Sequence, residues 1–131
     1  MFNNFRSCNL VVLNGRLGRD AEKRALTNGT PMITFGVATE TIAKGEDGKR
    51  APKTAWHNVA YFGEVAEMAS RYLVKGSCVS VIGQISYRKD EKGTVHTSII
   101  AEDVQILFSP KKNEKVAESD QGSVPEDIDL I

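Results

Sequence analysis

Cysteine is nearly absent: Cys8 and Cys78 are the only two in 131 residues. Two thiols so far apart form neither a disulfide framework nor the paired spacing of a zinc site, so both read as reduced packing residues. Long apolar runs are missing too. No stretch approaches the roughly 18 residues that cross a bilayer as a helix, and Met1-Phe2-Asn3-Asn4-Phe5-Arg6 lacks the charged-then-apolar order of a signal peptide. The expectation is a soluble, cytoplasmic protein with no membrane partner. His57 and His96 are not spaced with acids or cysteines as ligands would be, so no metal is expected and each reads as an ordinary strand histidine. Gly15-Arg16-Leu17-Gly18-Arg19 lacks the third glycine and following helix of a dinucleotide fingerprint, and there is no Walker-type loop. No cofactor is therefore expected. Asp20 with Glu22, Asp90 with Glu91 and Glu102 with Asp103 lie in turns or at strand ends, where solvated charge accounts for them. An enzyme such as a small nuclease is not demanded by anything here.

Net charge is also absent, with 17 basic and 17 acidic residues, but the balance conceals an asymmetry. Residues 1–112 hold 16 Lys and Arg against 11 acids (+5), whereas residues 113–131 hold one Lys against six acids (−5). A basic body attracts phosphates; an acidic, low-complexity end solvates the protein or serves as an interaction tail. The length suits one domain, residues 1–110, followed by a disordered acidic tail, residues 111–131, with an apolar tip.

Over most of the body apolar residues alternate, the mark of strands with one buried face. Leu10 to Leu17 reads as a first strand and Met32 to about Thr41 as a second, separated by the turn Thr27-Asn28-Gly29-Thr30-Pro31. Residues 44–53 form a charged, glycine-bearing loop with nothing to bury. The third strand, Thr54 to Phe62, sets Trp56, Asn58, Ala60 and Phe62 on one face and His57, Val59 and Tyr61 on the other. Val65, Met68, Ala69 and Tyr72 then follow helical spacing, and Gly76 stands where a C-cap is wanted. Ser77 to Tyr87 and Thr94 to Phe108 are the last two strands. An all-β chain of five strands, with one short helix between the third and fourth, matches the order of the OB-fold, a five-stranded Greek-key barrel. An SH3-like or other small barrel shares most of the alternation.

Nonspecific binding of a single nucleic-acid strand needs cations for the backbone and flat side chains on which bases stack. Trp56 and Phe62 share a strand face about 20 Å apart, a spacing for two separate bases. The alternative is that Trp56 packs in the core. Arg6, Arg16, Lys44, Lys49, Arg50, Lys53, Arg88 and Lys89 are the candidate phosphate contacts.

At Leu13-Asn14-Gly15-Arg16-Leu17-Gly18-Arg19-Asp20, at Thr27-Asn28-Gly29, from Phe35 to Thr39 and above all at Thr54-Ala55-Trp56-His57-Asn58-Val59-Ala60-Tyr61-Phe62-Gly63, the chain resembles the bacterial single-stranded DNA-binding proteins of the homotetrameric OB-fold type. Ala66-Glu67, Tyr72-Leu73-Val74-Lys75-Gly76-Ser77 and Val81-Ile82-Gly83-Gln84-Ile85 continue the likeness, which covers residues 8 to about 108. The resemblance implies four subunits and binding of single-stranded DNA without base preference in replication, recombination and repair. It places Trp56 and Phe62 at the family's stacking positions, Arg88 at a basic position and His57 at a subunit contact. Ile42 or Ala43, and Asp90, stand where further stacking tryptophans are common, and Asn58 and Glu64 where basic residues are frequent. These departures bear on affinity more than on fold. The end, Pro125-Glu126-Asp127-Ile128-Asp129-Leu130-Ile131, is similar to the family's acidic, apolar-tipped tail that docks onto replication and repair enzymes, but its tip is not identical to the usual one, which carries a proline and a terminal phenylalanine. A competing expectation is an OB-fold interaction protein that binds DNA weakly and mainly recruits partners through this tail.

Overall fold

The computed structural model describes residues 6–110. The expected tail, including Asp127, Ile128, Asp129, Leu130 and Ile131, lies outside the described residues. Within them, alternation translates directly into strand faces. In β1 (Val11–Leu17) Leu13 and Leu17 turn inward while Val12, Asn14 and Arg16 are exposed. β3 (Pro31–Lys44) buries Ile33, Phe35 and Val37, and β4 (Arg50–Phe62) buries Val59 and Tyr61 in the same layer. After Phe62 the chain turns at Gly63 into α1 (Glu64–Ser70), then runs through β5 (Cys78–Lys89) and β6 (Val95–Phe108). Leu17, Leu73, Val79 and Val81 join the β3 and β4 side chains in one core.

The strands form one sheet in the order β1-β5-β6-β4-β3, antiparallel except for the β4–β6 pair. Pairing of Arg16 with Ala38 and of Leu17 with Val37 joins β1 back to β3 and closes the ring. This is the path of the OB-fold, as expected from the element order. Closure depends on Gly15, because a Cβ there would run into the carbonyl oxygen of Ala38. At the other edge of β1, the Asn9 side chain both donates to the Ile85 carbonyl (2.9 Å) and accepts the Ile85 N–H (3.0 Å), extending the ladder by one side chain.

Three local features differ from the sequence expectation. A sixth strand, β2 (Glu22–Ala25), pairs with β3 along the barrel edge; all four of its residues are exposed, so no apolar period announces it. The expected loop at residues 44–53 shrinks to residues 45–49, because the β3–β4 ladder continues to Lys44↔Arg50 on backbone hydrogen bonds that need no buried side chain. The helix ends at Ser70 with Arg71 as its cap. Gly76, with φ of 91°, serves instead a turn whose N–H reaches the Leu17 carbonyl at 3.0 Å.

Candidate nucleic-acid interface

Strand partners in register point to the same side of a sheet, so the β3–β4 ladder sorts its side chains without ambiguity. Val37, Phe35 and Ile33 face inward with His57, Val59 and Tyr61; Ala38, Gly36, Thr34 and Met32 face outward with Trp56, Asn58, Ala60 and Phe62. Trp56 is 61% exposed and Phe62 36%, which removes the alternative of a core tryptophan. The indole lies across Gly18: a Cβ there would sit 2.6 Å from its Cη2, so only a residue without a side chain leaves room for the ring.

The outward face continues on both sides. On β2, Glu22 and Arg24 pair with Thr34 and Met32; on β6, His96 and Ser98 pair with Arg88 and Ser86 of β5. Together these strands form the floor of an open groove of about 600 Å³, lined among others by Arg19, Arg24, Trp56, Asn58, Arg88 and His96. The groove has an aromatic plane, cations at both sides and amide and hydroxyl groups between, which suits an extended polyanion carrying flat rings.

The sequence-predicted residues are only partly gathered here. Trp56 and Arg88 line the groove, Phe62 lies on the same strand face six residues along, and exposed Lys89 follows Arg88 at the end of β5. Lys44, Lys49, Arg50 and Lys53 are all exposed on the far part of the β3–β4 hairpin: Lys44 and Arg50 are partners on the Trp56 side, Lys53 is opposite Thr41 on the other, and Lys49 lies in the turn. Arg16 is exposed on the outer side of β1, and Arg6 is exposed ahead of the first strand; neither lines the groove. His57 is half-buried on the inward side, where its Nε2 shares a 2.9 Å hydrogen bond with Thr39 Oγ1.

Two groove cations, Arg19 and Arg24, escape sequence reasoning. Arg19 closes a glycine-bearing stretch whose pattern suggests only a failed dinucleotide loop, and Arg24 lies on the strand that no periodicity marks. Each has an acid beside it in the groove: Glu22 pairs with Arg24 at 3.0 Å, while the Asp20 carboxylate accepts the Lys75 N–H at 2.9 Å, a loop tie. Asp90 is likewise a structural acid. Its carboxyl is held below the usual carboxylate range by the His96 hydrogen bond, then by the Thr94 N–H. Among the described residues no three His, Cys, Asp or Glu side chains cluster as metal ligands, and no helix is long and apolar enough to cross a membrane.

Comparison with known proteins shows the family. The model of the single-strand binding protein family matches residues 8–107. A single-stranded DNA-binding protein of Neisseria meningitidis serogroup A is 37% identical over 120 residues, covering 88% of this chain and 69% of its own. Single-stranded DNA-binding protein 1 of Xylella fastidiosa is 37% identical over 129 residues, covering 94% and 95%. Among solved structures, a Plasmodium falciparum single-stranded DNA-binding protein in complex with single-stranded DNA superposes with a TM-score of 0.70 at 27% identity, covering 81% of this chain and 100% of that one. A deletion mutant of the Thermus aquaticus single-stranded DNA binding protein gives 0.69 at 25%, with the present chain spanning about half of it (52%). The ring order and a family match over residues 8–107, from ahead of β1 through nearly all of β6, agree: this chain belongs to the single-strand binding protein family.

Proposed function

We propose that this protein binds single-stranded DNA without sequence preference, laying the strand along the outward face of β2, β3, β4, β6 and β5. The observation that carries this reading is the exposed Trp56 ring in a groove with Arg88 at one side and Arg19 and Arg24 at the other. Trp56 and Phe62 stack bases, which contributes on the order of 1 to 3 kcal/mol per base. Arg88, Arg19 and Arg24 hold phosphates in the groove, while Lys44, Lys49, Arg50, Lys53 and Lys89 engage strand beyond it. As a member of its family the chain is a binding protein rather than an enzyme.

Coating the strand protects it during replication, recombination and repair in the cytoplasm, at the nucleoid. Leu10, Val12, Leu107 and Phe108 are exposed apolar side chains on the β1 and β6 side of the barrel. They support assembly into a homotetramer, for which His57 supplies a further subunit contact. Residues Asp127, Ile128, Asp129, Leu130 and Ile131 recruit partner enzymes.

Titration with poly-deoxythymidine, following the fluorescence of the only tryptophan at two salt concentrations, tests the DNA reading. Quenching that saturates and weakens with salt is the expected result; no quenching in low salt rejects it. Sedimentation as a 14.3 kDa monomer rejects the tetramer. Unchanged capture of replication and repair enzymes after removal of residues 113–131 rejects the tail as the recruiting element.

A further inference from the structure

We propose that His96 is a phosphate-contacting residue of the groove, paired with Arg88 and positioned by Asp90, and that its imidazolium form is the one that grips the strand. The inference rests on the DNA reading above and adds a residue and a proton to it.

The geometry begins with the β5–β6 hairpin. Arg88 and His96 are register partners, so their side chains stand side by side on the same face, about 5 Å apart at Cβ. Both line the groove that holds Trp56. A phosphate lying against the sheet at this point meets the two together.

His96 is also held in a set orientation. Its Nε2–H donates to Asp90 Oδ2 at 2.9 Å, and the other oxygen of that carboxylate accepts the N–H groups of Lys92 and Thr94, both at 2.9 Å. The carboxylate is thus tied to the turn backbone and in turn ties the ring. With Nε2 donating to Asp90, the second ring nitrogen, Nδ1, decides what the imidazole offers a ligand. In the neutral ring Nδ1 is an acceptor, which repels a phosphate oxygen; in the imidazolium it is a charged donor.

Charges of both signs surround the ring. Arg88 stands beside it from β5 and Asp90 bonds it from the turn, with Glu91 and Lys92 next in the chain. Across the groove Arg19 and Arg24 sit beside Asp20 and Glu22, and β4 offers only the uncharged Trp56 and Asn58. A phosphodiester between Arg88 and His96 adds a negative charge and draws a proton onto the ring. Asp90 is held below the ordinary carboxylate range, chiefly by the His96 hydrogen bond and then by the Thr94 N–H, so its charge stays beside the ring. His57 lies on the inward side of the β3–β4 ladder against Thr39.

The test is an equilibrium titration of the full chain with oligo-deoxythymidine at constant ionic strength, between about pH 5.5 and 8, where imidazole changes charge. The intact protein should bind roughly three- to tenfold more tightly at the acid end, since one proton taken up per site allows at most about tenfold per pH unit. His96→Gln should bind weakly and lose this pH dependence while His57 remains in place. In Asp90→Asn the amide oxygen still accepts the two turn N–H groups, so the hairpin stands, but the amide NH2 now faces Nε2, so the neutral ring carries its proton on Nδ1 and offers a donor without becoming imidazolium. The rise in affinity toward acid pH should flatten, a change that a merely structural role for Asp90 would not produce. Binding by the intact protein that is flat with pH, or a pH dependence that survives in His96→Gln, overturns the inference and leaves the DNA reading standing. No binding at any pH overturns both.

Discussion

The β3–β4 hairpin is one uninterrupted ladder from Met32↔Phe62 to Lys44↔Arg50, yet its two halves lie in different surroundings. At the base, Ile33, Phe35 and Val37 meet Val59 and Tyr61 inside the barrel. Beyond Thr39↔Ala55 almost every residue is exposed on both faces, and Ile42 is 61% exposed where Ile33 is 1%. Backbone pairing is the same in both halves, and each hydrogen bond contributes only about 0.5 to 1.5 kcal/mol net. Burial differs, by roughly 1.5 to 3 kcal/mol for each large aliphatic side chain. The base is therefore a platform that fixes Trp56, and the arm is an extension that carries cations outward without supporting the fold.

The largest effect should separate the halves by stability. Ile33→Ala is expected to cost about 2 to 5 kcal/mol, and Ile42→Ala no more than about 0.5, in urea unfolding of each variant. Equal losses would mean that the arm is packed against another subunit in solution. Next is the platform's ring. Trp56→Ala should weaken DNA binding by about 1 to 3 kcal/mol with the melting temperature held, because an outward ring leaves no cavity behind. A large drop in melting temperature would contradict the outward placement.

Gly18→Ala sharpens the point. The added methyl collides with the far edge of the Trp56 ring rather than with backbone, so the ring must tilt. DNA binding should fall by less than in Trp56→Ala, with the fluorescence of the unbound protein altered and its stability nearly kept. The smallest effect belongs to the arm: Lys44→Ala or Arg50→Ala should reduce the slope of log affinity against log salt by about 0.7 for each phosphate no longer neutralised, with no change in unfolding. An unchanged slope would place the strand away from the arm.

Strand faces are legible in the chain alone, because a side-chain period of two leaves Trp56 and Phe62 on one side and Val59 and Tyr61 on the other wherever one face is buried. The helix between the third and fourth core strands is equally legible, and the stretch from Thr54 to Gly63 carries the family. Where burial stops, legibility stops. β2 and the outer half of the hairpin pair through backbone groups and not through buried side chains, so their charged side chains read as loop. Which cations converge is out of reach for a different reason. Arg19 and Arg24 are distant in the chain from Arg88 and His96, and the two pairs meet only because β1 closes onto β3 at Ala38 and β6 runs between β4 and β5. His96 reads from its neighbours as an ordinary strand histidine. Only the β5–β6 register, which sets it beside Arg88 and against Asp90, makes it part of the groove, because that proximity is a property of strand pairing and not of any local pattern.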